Sequence, residues 1–414
     1  MTARALPLAP DEAADALAFL GQLGRALHRF GAPAHRLETS LERAAAHLGV
    51  VAQFFATPTA FFASFEDPAR ADHPATLLNR TDPGDVDLER LAELDAVLED
   101  VARGAMTCRA GADRVREVVN APPRYGAVLT AACFVVASAA AARFFGGGVR
   151  EIVTVATIGL STGLLAVASP RFPLVGRVFE PAAAFVAALV AGAAAWWIGP
   201  LSAHVAVLAG LIVLIPGLTL TTAMTEISTR HLVSGTARLT GAFVLFLSIG
   251  FGVALGTRVI ELWLGPVPVA DPVPLPTWTL ALAMMAAAAS FTVLFRARPG
   301  DFPWILASGV LAFAGARWGA LVLGPELGAF VGAALVGAGG NLYANLSRRP
   351  ASIPVVPGIV LLVPGSIGFE SLSSLLASDV VAGMETAFRM SLVAVALVTG
   401  LLLANVIVPP RRAL

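Results

Sequence analysis

"LIPGLTLTTAMTE", Leu214 to Glu226, lies inside a run that otherwise has the apolar character of a membrane-crossing helix. Pro216 and Gly217 interrupt it, and the hydroxyls of Thr219, Thr221, Thr222 and Thr225 follow at once. Proline removes a backbone donor and clashes with the preceding turn, while glycine tolerates an unwound backbone. A second stretch, "LVPGSIGFESLSS", Leu362 to Ser374, repeats the device: adding 148 to Pro216 and Gly217 gives Pro364 and Gly365. The same offset of 148 carries "LVSG" (Leu232 to Gly235) onto "VVAG" (Val380 to Gly383), and Gly252 onto Gly400. Slightly upstream, "AFVAALVAG" (Ala184 to Gly192) matches "AFVGAALVG" (Ala329 to Gly337) at an offset of 145.

The surroundings of these breaks fix the class. The chain of 414 residues is 57% hydrophobic and only 14% charged, with a mean hydropathy of +0.78. A soluble domain sits near half apolar and a quarter charged, so the composition is that of a membrane protein. The formal net charge of zero gives no reason to expect nucleic acid, and no lysine occurs. From Tyr125 onward we read about ten spans of roughly the 20-residue length that a bilayer core requires, the fourth and ninth broken. Dividing them as five and five makes the second half enter from the opposite side. The expected fold is an α-helical polytopic membrane protein built as two inverted five-helix repeats, residues 125–264 and 265–414.

Residues 1–124 read as a cytosolic α/β domain. Leu17, Leu20, Leu23, Leu27 and Phe30 form a helical stripe, and "HRLETSLERAAAHLG" makes a second helix. "VVAQFFAT", "TAFFASFE" and "ATLLNR" read as strands, followed by an amphipathic helix from Asp85 to Gly104. Asp11, Glu12 and Asp15 stand where the apolar core of a signal peptide would begin, so none is expected. Arginines including Arg171, Arg177, Arg230, Arg296, Arg298, Arg348, Arg349, Arg411 and Arg412 gather on the side of the N-terminus, against Arg143, Arg150, Arg258 and Arg317 on the other. That asymmetry places both termini inside.

In lipid, the amides and carbonyls freed by a break must find partners or line a watery cavity. A half-helix starting at Gly217 or Gly365 would aim its positive end at the break, which suits a carboxylate. The plainer alternative is a packing kink, and the hydroxyls may equally cap carbonyls of their own helix. Ionisable groups near spans carry more weight. Glu226, Arg238, Glu370, Glu385 and Arg389 are the candidates, with Glu226, Glu370 and Glu385 as possible proton carriers and Glu385 a possible partner of Arg389. By the offset of 148, Thr222 corresponds to Glu370. The substrate-binding set is therefore Pro216, Gly217, Thr219, Thr222, Glu226, Arg238, Pro364, Gly365, Ser366 and Glu370. Asn341 and Asn345 share a helix face and read as interhelical hydrogen bonders.

No enzyme signature appears. His28, His35, His47 and His73 form no H-E-x-x-H, and Cys108 and Cys133 make no thiolate pair, so no metal or cofactor is expected. A hydrolase would need a nucleophile among Thr57, Thr59, Ser64 and Cys108, with no supporting spacing.

"LGRALHRFGAPAHRLETSLERAAAHLGV", "FFATPTAFFAS", "IPGLTLTTAMTEISTRHLVSGTARL" and "PVVPGIVLLVPGSIGF" together resemble the threonine/serine exporter family in its fused two-half form. The resemblance covers most of the chain. It implies export of small hydroxy amino acids across a bacterial cytoplasmic (inner) membrane, with protons as the coupling ion. Related two-chain systems imply a rival substrate class, dicarboxylates such as succinate. The pattern falls on Pro216, Gly217, Thr222, Glu226, Ser234, Gly235 and Arg238, and relatives often carry Asn and Asp where this chain has Thr222 and Glu226. The expected partners are a small-molecule substrate and the lipid bilayer, with an oligomer left open.

Overall fold

A computed structural model describes residues 10–66, 75–81, 84–376 and 378–410. His73, Arg411 and Arg412 lie outside the described residues. The chain opens with α1 (Pro10–Arg29) and α2 (Ala34–His47), then β1 (Ala52–Thr57), β2 (Ala60–Phe65) and β3 (Ala75–Arg80), then α3 (Leu88–Ala102) and α4 (Cys108–Asn120). The strands form a small antiparallel sheet in the order β1-β2-β3, with Phe54 opposite Ala63 and Ala56 opposite Phe61. The two-residue period puts Phe54, Ala56, Phe61, Ala63 and Phe65 on one face, where they join Leu20, Leu23 and Leu27 of α1 in one apolar core. The sheet is small, and the molecule as a whole is mostly helical.

The apolar region begins with α5 (Ala127–Phe144), α6 (Val149–Ala168), the short α7 (Pro173–Arg177) and α8 (Phe179–Trp197). Next come α9 (Ala203–Gly210), α10 (Gly217–Ser228) and the long α11 (Leu232–Leu264). The second stretch holds α12 (Thr279–Leu294), α13 (Phe302–Leu323), α14 (Pro325–Ser347), α15 (Ser352–Val360), α16 (Gly365–Leu376) and α17 (Val380–Ile407). Eight segments are long and apolar enough to cross a membrane. About ten were expected. The difference lies in α12, which has only 16 residues, and in the first broken segment, whose pieces α9 and α10 are each too short alone. The outward faces are apolar, as lipid requires. Trp196, Trp197, Trp263 and Trp278 stand exposed at the ends of α8 and α11 and the start of α12, next to the Leu201–Val269 bridge. Such tryptophans suit the headgroup level of a bilayer.

Local geometry recurs along the apolar region. Among residues with positive φ, Gly146 and Arg296 follow α5 and α12 at a spacing of 296 − 146 = 150. Gly199 and Arg348 follow α8 and α14 at 348 − 199 = 149, and Arg230 and Ser378 follow α10 and α16 at 378 − 230 = 148. The same partners pack in each stretch: α8 lies along α11, and α14 along α17. Gly252 of α11 lets the Pro181 carbonyl and Ala184 approach closely, and Gly400 of α17 does the same for the Phe330 carbonyl and Ala333.

Candidate functional site

The two breaks meet. The backbone unwinds from Leu211 to Pro216, where Gly217 N–H reaches only the Ile215 carbonyl (2.7 Å), and helix resumes with Leu220 N–H on the Pro216 carbonyl. At the second break helix resumes with Gly368 N–H on the Pro364 carbonyl. A Cβ on Gly217 would lie 2.1 Å from Val363 Cγ1 and 3.7 Å from Gly365 Cα. One on Gly365 would lie 2.6 Å from Ile215 Cγ2 and 3.4 Å from Gly217 Cα. Only glycine fits at either place, and the contact brings the amino-terminal ends of α10 and α16 together. Each end carries unsatisfied N–H groups and the positive pole of its helix.

On one side of this meeting point lies a cavity of about 100 Å³. Its walls are Leu218, Thr221, Thr222 and Thr225 of α10, Ser352, Val355, Val356 and Ile359 along α15, and Leu401 of α17. The remaining wall comes from the N-terminal helices: Gly31 to Pro33, His35, Arg36, Val86 and Leu91. Thr221 and Thr225 donate to the carbonyls of Gly217 and Thr221, so these two hydroxyls cap their own helix. Thr222 makes no hydrogen bond among the described residues and lines the cavity. Thr219 and Ser366 are partly buried near the breaks.

Glu226 sits at the far end of α10, fully buried, and every one of its acceptor positions is used. Its Oε1 accepts from Ala34 N–H of α2 at 2.9 Å, its Oε2 from Ser234 Oγ at 2.8 Å, and Arg238 Nε bonds both oxygens at 3.2 and 3.1 Å. Glu226 and Arg238, separate candidates in the sequence, thus pair with each other, together with Ser234, away from the breaks and against α2. Beside it, His231 Nε2 lies 3.1 Å from Glu38 Oε2, and burial pushes the Glu38 carboxyl up from its ordinary range.

The second apolar stretch is held in a similar way. Leu88 and Glu89, the first residues of α3, donate their N–H groups to the Phe295 and Arg296 carbonyls at the end of α12, at 3.0 and 3.3 Å. The N-terminus of one helix thereby satisfies the C-terminus of another. Arg298 contacts Glu89 and Glu93 at 3.1 and 2.9 Å, and Arg296 contacts Asp87 at 3.6 Å. Arg124 chiefly, with Arg298, holds the Glu89 carboxyl below the usual range. The N-terminal region therefore grips both apolar stretches and roofs the cavity between them.

Other expected residues fall elsewhere. Glu370 is exposed on α16, and Glu385 is exposed on α17. Arg389 pairs with Glu326 at 3.3 Å and not with Glu385: the neighbouring helix supplies a carboxylate that intrahelical spacing did not foresee. Asn341 donates to Asn405 Oδ1 and the Val408 carbonyl, and Asn345 to the Pro409 carbonyl, so both fasten α14 to the end of α17. Thr57 donates to the Ala60 carbonyl within the hairpin, and burial raises the Cys108 thiol, the opposite of nucleophile activation.

Two buried acids escaped the sequence reading. Glu151 accepts from Gly148 N–H and Ser202 N–H, at 2.9 and 3.0 Å, tying the start of α6 to the start of α9. Asp301 accepts from Arg298 N–H at 3.2 Å and from Arg349 at 3.0 Å, tying the start of α13 to the turn before α15. Their spacing, 301 − 151 = 150, was the available signal.

Paired broken segments, a small cavity beside their contact and eight membrane-length apolar segments define a multi-pass membrane protein of transporter type. The chain belongs to the threonine/serine exporter family. The family described as "Putative threonine/serine exporter" matches residues 18–260, and a second, "Threonine/Serine exporter", matches residues 280–407. Relatives include an uncharacterized protein of Schizosaccharomyces pombe, 24% identical over 90% of this chain and 45% of its own length. Pheromone-regulated membrane protein 10 of Candida albicans is 28% identical over 89% of this chain and 34% of its own. Its namesake in Eremothecium gossypii is 25% identical over 87% and 49%. The chain thus spans less than half the length of these relatives. No solved structure matches. The relatives are fungal, and two of them are named as membrane proteins, which corrects the expectation of a bacterial inner membrane. What stands is a multi-pass membrane protein.

Proposed function

We propose that this protein is a secondary active exporter of threonine, serine or similarly small hydroxy amino acids, driven by a proton gradient. The observation that carries the reading is the contact of Gly217 with Gly365 beside a small, mainly apolar cavity with a few polar groups in its wall. Two helix N-termini converge there, able to hold a substrate carboxylate without a buried fixed charge. The cavity's hydroxyls meet the polar remainder of the substrate. Pro216, Gly217, Thr219, Thr222, Pro364, Gly365 and Ser366 frame this path.

Residues 125–264 and 265–414 act as inverted halves that rock about the paired breaks, each crossing the bilayer five times. The recurring positive-φ residues and the matched anchors Glu151 and Asp301 support that symmetry. Residues 1–124 form a cytosolic domain that closes the inner mouth, and Glu226 with Arg238 latches it. Glu370, exposed and at the position matching Thr222, is the favoured proton carrier. Glu226 is already paired with Arg238, and Glu385 has no counterpart among the hydroxyls that follow the first break.

The deciding experiment is efflux of labelled threonine from proteoliposomes, with and without an imposed proton gradient, with serine and succinate as competitors. Gradient-dependent efflux blocked by serine is expected. Succinate movement without threonine movement would turn the reading toward dicarboxylates, for which two converging helix N-termini would bind two carboxylates. Threonine efflux indifferent to the gradient would make the protein a passive channel.

A further inference from the structure

We infer that His35, although carried by the N-terminal helices, is a specificity-determining residue of the transport cavity, hydrogen-bonding the side-chain hydroxyl of the amino acid held there. The inference rests on the exporter reading above and assigns part of its selectivity to a residue outside the membrane helices.

The local fold places His35 with little freedom. Gly31, at φ +81°, ends α1 with a left-handed turn in which Ala32 N–H reaches back to the Leu27 carbonyl (3.0 Å) and Gly31 N–H to that of His28. A glycine takes this conformation without the clash a Cβ would bring. The turn throws Pro33 and the first turn of α2 into the groove between α10 and α15. Glu226 then fixes the register, because its carboxylate holds the N–H of Ala34, the residue next to His35. The imidazole is therefore positioned against α10 by a buried charge-assisted hydrogen bond, the kind of rigid support a selective site needs.

The cavity offers few neutral polar groups to a ligand. Thr221 and Thr225 spend their hydroxyl protons on their own helix, and most other walls are aliphatic. That leaves Thr222, Ser352 and His35. The His35 Nδ1 is buried and has no hydrogen-bond partner. Buried polar atoms in folded proteins are nearly always paired, because an orphan loses the hydrogen bonds it made to water. A ligand hydroxyl in the cavity would supply the missing partner.

The charge state fits a hydroxyl better than a carboxylate. Burial, with Arg36, His231 and Arg238 nearby, pushes the His35 pKa down to about 3, so the ring is neutral at physiological pH. In a neutral imidazole each ring nitrogen either donates or accepts one hydrogen bond, and the ring exerts no net charge pull on an anion. The carboxylate is left to the N-terminal end of α10, whose Leu218 lines the same cavity. The volume, about 100 Å³, suits one small amino acid and excludes a peptide.

The test compares efflux of threonine with that of 2-aminobutyrate, which has the same carbon skeleton and lacks the hydroxyl, from proteoliposomes of the full chain. The wild type should prefer threonine by about tenfold, the equivalent of one hydrogen bond. His35→Phe keeps a ring of similar size without nitrogens. It should bring the ratio close to one while 2-aminobutyrate export persists, and His35→Gln should restore much of the preference. Should phenylalanine prevent insertion, His35→Leu carries the same expectation. A purely structural role would lower both rates together and leave the ratio unchanged, which overturns the assignment of His35 and spares the exporter reading. A wild type that moves neither amino acid overturns both.

Discussion

The two breaks share one backbone device and differ in everything attached to it. Each unwinds before a Pro-Gly pair, restarts a 12-residue helix at the glycine and ends that helix with a left-handed residue, Arg230 in one and Ser378 in the other. Yet the first helix ends in a buried carboxylate fastened to α2, while Ser374 occupies the matching position in the second. Thr222 looks into a roofed cavity, whereas its counterpart Glu370 is exposed. Backbone geometry thus recurs at the two breaks, while the side chains diverge: the N-terminal helices cover the flank of α10 and leave Glu370 of α16 exposed.

The sharpest way to break the comparison is at the shared element. Gly217→Leu and Gly365→Leu should each abolish transport, because a Cβ alone already falls 2.1 Å from Val363 or 2.6 Å from Ile215. The two variants should be equally damaging in the proteoliposome assay, with membrane insertion checked by size-exclusion chromatography. If one leaves transport intact, the breaks do not work as a pair.

Next in size is the element they do not share. Glu226→Gln keeps the shape of the side chain but leaves Arg238 without its counter-charge in a buried setting, a change that costs about 3–5 kcal/mol. Thermal unfolding should show that loss, and labelling of a cysteine placed in the Gly31–Pro33 turn should show α2 released. Glu370→Gln, at the exposed position, should change stability by less than about 0.5 kcal/mol and alter only the gradient dependence of efflux. Equal destabilisation by both variants would mean that Glu226 is no latch.

The legibility of these features in sequence followed their range along the chain. Strand alternation around Phe54 and Phe61 and the Pro-Gly breaks are local signals, set by side-chain period and backbone sterics. The matching offset between Pro216 and Pro364 was legible for the same reason. The role of Glu226 was not. Its chemistry depends on Ala34, 192 residues away, and no local pattern reports a backbone N–H arriving from another part of the chain. Glu151 and Asp301 were lost differently. Each sits in a helix's first turn, where an acid is expected for capping alone, so only their spacing of 150 hinted at a reach to the start of the broken segments. The roof over the cavity likewise appears only when α2 and α3 meet α10 and α12.

The smallest expected effect follows from charge at the roof. The docked His35 has a pKa near 3 against an ordinary 6.5, so between these values the docked state binds fewer protons than a released, solvated one. The His35 contribution to docking is therefore fully present above pH 6.5 and is lost as pH falls toward 3, by about 1.4 kcal/mol for each pH unit. Glu38 acts with the opposite sign, since burial raises its pKa and the docked state holds that proton more tightly. A comparison of the wild type with His35→Gln cancels the Glu38 contribution and leaves that of His35. Hydrogen exchange in the first turn of α2, measured on the detergent-solubilised full chain at pH 7 and pH 5, should be similar in the two proteins at the higher pH. At the lower pH it should become faster in the wild type, by about tenfold per unit below 6.5. The first turn of α16, which no soluble element covers, should show no such difference between the proteins. If it does, the pH response belongs to the membrane helices as a whole, and the asymmetry between the two breaks has no energetic expression at the roof.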